Sequence, residues 1–82
     1  MKELEKIRVQ IDWIDKEIMK NLDKRFELVS KIGKIKLESN LEIIDLKREE
    51  MINHYIEMNT DYEENIKKIY AKIMDESKEI QK

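Results

Sequence analysis

The chain contains no cysteine and no proline, and its one glycine is Gly33. Without cysteine there is neither a disulfide to staple the fold nor a thiolate metal site. That absence also suits a reducing compartment. Histidine occurs once, as His54, and is read as a surface residue; aromatic residues make up only 6% of the chain. No apolar run approaches the length of a membrane span, and the opening MKELEKIRVQ carries no hydrophobic block of the signal-peptide kind. A soluble cytoplasmic protein with no membrane partner is expected. Neither sign of charge dominates: charged residues are 44% of the chain and the formal net charge is -2. A general nucleic-acid binder would need a net basic face, so none is expected.

Arginine is scarce as well. Of seventeen basic residues only Arg8, Arg25 and Arg48 are arginine. Each sits where an apolar helical seam meets a polar position. Arginine differs from lysine in offering a planar fork that grips a carboxylate through two parallel hydrogen bonds. The choice points to anion recognition rather than to solvated surface charge.

What is present is helical periodicity; alternation at period two is absent. Leu4, Ile7, Ile11, Ile14, Ile18, Leu22, Val29 and Ile32 recur at spacings compatible with one helix from about residue 3 to about 38. Glu38-Ser39-Asn40 is the first weak spot, followed by a connecting loop from Leu41 to Ile44. Asp45 is suited to N-cap a second helix reaching about Met58. Asn59-Thr60-Asp61 breaks it, and Thr60 with Glu63 has capping-box spacing for a third helix. Ile66, Ile69, Ile73 and Ile80 form that helix's stripe. The expected fold class is all-α, with one long and two shorter helices in a single domain over residues 1–82.

The first helix is long for so small a body. About 36 residues at ~1.5 Å each make roughly 54 Å, whereas a compact chain of this size has a radius of gyration near ~12 Å. Its apolar stripe needs a cover that its own chain cannot supply. An obligate, intertwined helical homodimer is the simplest solution.

Polar residues nevertheless lie on the seams. Arg25 falls between Leu22 and Val29, and Lys36 follows Ile32 by four. Eleven residues separate the two cations, which returns to within ~20° on a helix and ~16 Å along it. Arg48, Glu49 and Asp45 mark the second helix, Ser77 and Gln81 the third. Burying cations without partners is costly. Two explanations are open: internal pairing, with Glu49 or Asp45 neutralising Arg48 and Lys36, or a shielded pocket for an anionic ligand.

The blocks I-R-x-x-I-D-x-I-D, L-x-x-R-x-x-L-V-x-x-I-G-x-x-K, D-x-x-R-E and D-E-S-x-x-x-Q occur in that order. Together they resemble the all-helical (AroQ-class) chorismate mutase family across essentially the whole chain. The resemblance implies an intertwined dimer of three-helix chains that converts chorismate to prephenate by a Claisen rearrangement. It implies that Arg25 grips a substrate carboxylate, joined by Arg8 from the other protomer. Lys36 would contact a carboxylate and the ether oxygen, and Gln81 would donate a second hydrogen bond to that oxygen. Asp45 through its backbone and Glu49 through its carboxylate would hold the ring hydroxyl. Ser77 would assist a carboxylate, and Arg48 would line the pocket or orient Glu49. No cofactor and no metal is implied. The loop Leu41-Glu42-Ile43-Ile44 departs from the Pro-Val common in the family before the helix-two aspartate, and the second connection is short. A sibling isochorismate-pyruvate lyase and a non-catalytic helical dimerisation or regulatory module are the alternative functions. Gly33, costly by about 1 kcal/mol at mid-helix, is expected to mark a close backbone approach by another helix.

Overall fold

The computed structural model describes residues Met1–Lys82 and contains three helices: α1 (Lys2–Glu38), α2 (Leu46–Asn59) and α3 (Glu63–Gln81). The first helix starts with Glu3 and Glu5 in its opening turn, where their charge complements the helix dipole. It ends through Asn40, which adopts a left-handed φ of 55°. Asparagine tolerates that conformation, and it lets Leu41 N–H donate to Lys36 O at 2.8 Å and Asn40 N–H to Leu37 O at 3.4 Å. This double closure of a helix C-terminus is a Schellman arrangement. It reverses the chain so that the following loop crosses back over the last turn of α1.

Asp45 caps α2 as expected: its Oδ1 accepts from Arg48 N–H at 3.1 Å. The expected capping box at Thr60 does not form. Thr60 Oγ1 instead accepts from Tyr62 N–H at 3.0 Å, and Tyr62 becomes the N-cap of α3. The threonine hydroxyl is satisfied two residues on, so the helix begins at Glu63 rather than placing Glu63 in its third position. Across this turn, Lys67 binds Glu57 at 3.0 Å and Glu63 at 3.2 Å. The hydrogen bond and charge of Lys67 hold the Glu57 carboxyl below its usual range, and the two carboxylates raise Lys67.

The third helix lies between the other two and touches both, while no Cα of α1 comes within 8 Å of one in α2. The core is correspondingly thin: Val29, Ile52 and Ile56 are its only buried apolar side chains. Gly33 is buried too, and for the expected reason. A Cβ there would stand 2.8 Å from Gln81 Cα and 2.9 Å from Gln81 O, so α3's last turn lies directly against bare α1 backbone.

The N-terminal half of α1 packs against nothing in its own chain. Every residue from Lys2 to Asn21 is exposed, the stripe Leu4, Ile7, Ile11, Ile14 and Ile18 included. The chain measures 56 × 24 × 15 Å with a radius of gyration of 16.1 Å. Its accessible surface of 7380 Å² exceeds by about 2,100 Å² that of an ordinary folded monomer of this mass. No helix is long and apolar enough to cross a membrane.

Candidate active site

Two helical seams and a returning loop build the site. On α1, the turn-by-turn spacing that carries Leu22, Val29 and Ile32 also carries Arg25 and Lys36. On α3, it carries Ile73, Ser77 and Gln81. The two helices run parallel, so the cations of one meet the neutral polar groups of the other. Arg25 Nη1 donates to Ser77 Oγ at 2.7 Å, and Ser77 Oγ donates in turn to Ile73 O at 2.7 Å. Three turns further along α1, Lys36 Nζ donates to Gln81 Oε1 at 2.7 Å. It also donates to Ile43 O at 2.7 Å, a carbonyl delivered by the loop that Asn40 turns back. Gln81 Nε2 donates to Ser77 O at 3.2 Å, which ties the two clusters together. With Gly33 behind its backbone, Gln81 is held although it is the penultimate residue.

On α2, the capped first turn presents Arg48 and Glu49. Arg25, Asp45, Arg48, Glu49 and Ser77 line one cavity of about 250 Å³, floored by apolar groups including Val29, Ile32 and Ile52. A cleft of about 360 Å³ adjoins it, sharing Arg25, Arg48 and Ile52. In that cleft Tyr70 offers its ring to Arg25, whose guanidinium carbon lies 6.0 Å from the ring centre. A wider groove of about 790 Å³ between the α1–α2 loop and the outer face of α3 is lined by exposed charges of both signs. It contains none of the seam arginines.

The electrostatics separate the two explanations of the seam cations. None of the chain's ion pairs involves Arg25, Lys36 or Arg48. Glu49, expected as a partner for Arg48 or Lys36 if the charges were paired internally, binds Lys78 instead at 3.2 Å. Its second oxygen, Oε2, is buried and has no hydrogen-bond partner. The cavity therefore offers cations free of ion pairs, which can receive anionic groups, and one acceptor, Glu49 Oε2, without a donor.

Seven of the eight expected residues thus converge, five around the cavity and Lys36 with Gln81 beside it. Arg8 does not. It is exposed on the free half of α1, 17 residues or ~26 Å by helical rise from Arg25. Two participants went unanticipated. The carbonyl of Ile43 depends on how the loop folds back, which no side-chain pattern encodes. Lys78 lies one residue beyond Ser77, some 100° round the helix from the seam, and reaches Glu49 through its long stem.

A family model described as chorismate mutase type II matches residues 7–82. A bifunctional chorismate mutase/prephenate dehydratase of Aquifex aeolicus (strain VF5) is 44% identical over 52 residues. Those residues are 63% of this chain and 14% of that relative, so the chain spans only a small part of the relative's length. The chain belongs to the chorismate mutase type II family, and its all-α, three-helix architecture agrees with that membership.

Proposed function

We propose that this member of the chorismate mutase type II family isomerises chorismate to prephenate, in a site completed by a second copy of the chain. The observation that carries the reading is the trio Arg25, Lys36 and Arg48, set on apolar seams and ion-paired with no carboxylate of the chain. A dicarboxylate supplies the missing anions. The rearrangement forms one carbon–carbon bond while one ether carbon–oxygen bond breaks, with no proton transferred and no covalent intermediate. The protein's task is to hold an extended molecule in its compact, reactive conformer and to stabilise the negative charge that grows on the ether oxygen.

Each residue has a part in that scheme. Arg25, steadied by Ser77, takes one carboxylate, and Arg48 lines the same wall. Lys36 and Gln81 touch each other at 2.7 Å, so an oxygen beside them can accept from both. Lys36 keeps one N–H beyond those given to Ile43 and Gln81. Gln81 has a second amide hydrogen besides the one given to Ser77. Glu49 Oε2, buried and unpartnered, accepts from the ring hydroxyl, with the backbone at Asp45 alongside.

The second copy enters through α1. Its free half exposes an apolar stripe, and the surplus surface of about 2,100 Å² per chain is what an obligate dimer buries. A partner helix lying along that stripe brings its own Arg8 toward Arg25, which no folding of one chain achieves. The experiment that tests the function is direct: chorismate added to the purified chain loses its ultraviolet absorbance. An undiminished absorbance from a folded dimer rejects the assignment, and isochorismate in the same cuvette tests the sibling lyase activity.

A further inference from the structure

We propose that Lys78 is a positioning residue that holds Glu49 away from the arginines, keeping Glu49 Oε2 free for the substrate's hydroxyl. The proposal rests on the function given above. Glu49 projects from α2 into a cavity that is also lined by Arg25, Arg48 and Lys78 itself. A carboxylate and a guanidinium sharing one small cavity combine readily, since the planar fork matches two carboxylate oxygens. Such a pair would occupy the groups needed for the substrate and leave no acceptor for its hydroxyl. The structure shows a different pairing. Lys78 reaches from α3 and takes Glu49 Oε1 at 3.2 Å, both side chains being about a quarter to a third exposed (26% and 30%).

One oxygen is thereby fixed while the other stays buried without a partner. A lysine suits this task because its ammonium is a point charge that can bind a single oxygen, where an arginine fork tends to take both. The only other carboxylate within 4 Å of the Lys78 ammonium is Asp75, 3.9 Å away and mostly exposed. The nearer and less solvated pair is with Glu49, so Lys78 is committed to it. The charge of Glu49 is balanced within its own pair, and the field of Arg25 and Arg48 is left for the dicarboxylate.

The test measures kcat and KM for chorismate in wild type, K78M, K78R, E49Q and the double variant K78M/E49Q. Methionine keeps most of the aliphatic stem, and circular dichroism verifies that each variant is folded. The hydroxyl gains no charge during the rearrangement, so losing its acceptor weakens ground and transition states alike. Lys78→Met is therefore expected to raise KM about tenfold, or about 1.4 kcal/mol, with a smaller change in kcat. Lys78→Arg returns the charge but is expected to recover only a small part of the loss, because the arginine fork competes for Oε2 as well. In the E49Q background the Lys78→Met change adds nothing, because a neutral amide needs no counter-ion. A wild-type KM in K78M overturns the proposal, as does a KM increase that persists with E49Q, which would place Lys78 on the substrate itself. Wild-type turnover distinguishes the failures: a chain inert toward chorismate overturns the functional reading as well, whereas an active chain indifferent to Lys78→Met overturns the role of Lys78 alone.

Discussion

Gly33→Ala sets helix propensity against geometry, and the geometry should decide activity. Alanine is favoured over glycine in a helix interior by about 1 kcal/mol, so the substitution taken alone would stabilise α1. The added Cβ, however, meets Gln81 Cα at 2.8 Å and Gln81 O at 2.9 Å. Ordinary contact begins at 3.4 Å, so these atoms must part by at least about 0.6 Å. They are backbone atoms, which cannot escape by changing rotamer. The last turn of α3 must move instead, at an overpacking cost of roughly 1–3 kcal/mol. Net stability should thus fall by no more than about 2 kcal/mol. Turnover should fall much further, because the moving residue is Gln81, which Lys36 holds at 2.7 Å. A misplacement near 1 Å can cost about 10²-fold in rate. Thermal melting followed by circular dichroism, alongside chorismate absorbance, measures both. A variant with wild-type kcat would show that the approach of α3 to Gly33 does not position the amide. A variant that unfolds outright would show that the clash outweighs what the terminal turn can absorb.

Much of this arrangement was legible in the sequence because it follows from helical spacing. The seam that carries Ile32 also carries Lys36, and the same periodicity places Ser77 and Gln81 on α3, so these groups met as the pattern requires. Asp45 capped α2 because a carboxylate at that position has an orphan N–H within reach. Gly33 marked a close helix approach, and the helix that approaches it bears Gln81. The Thr60 capping box failed because a threonine in a turn has two N–H groups to choose from, and the nearer one won. Internal pairing of the seam cations was a sound alternative on charge alone. It did not occur: Glu49 pairs with Lys78, which lies outside any seam, Asp45 caps α2, and Lys36 donates to Ile43 O and Gln81 Oε1. Helical spacing predicts which residues share a face, but not where a long flexible stem will place its charge. Nor does it encode Ile43 O, whose position depends on the left-handed turn at Asn40.

Further outcomes follow from the same geometry. Lys36→Ala should reduce turnover by at least ~10²-fold, the usual scale for one transition-state donor. Helicity should survive, since the change removes a cation rather than a packing group; loss of the fold would mean the bonds to Ile43 and Gln81 are structural. Gln81→Glu should give activity that rises as pH falls, because only the protonated acid can donate to the ether oxygen. A flat profile in that variant would remove Gln81 from the reacting oxygen. The two arginines on α1 test the shared site most directly. If Arg8 serves the partner's site while Arg25 serves its own, Arg8→Ala and Arg25→Ala chains should each be nearly inactive alone. Refolded together in equal amounts, they form mixed dimers in about half of all cases. In each mixed dimer one site has lost both arginines and the other has kept both. One good site of two, in half the dimers, returns roughly a quarter of wild-type activity. If both arginines acted within one chain, every site would remain damaged whatever the mixture. Absence of recovery, with mixed dimers confirmed by mass spectrometry, would therefore refute the crossing of Arg8. Recovery near a quarter would place it beside Arg25, across the ~26 Å of helix that separates them within one chain.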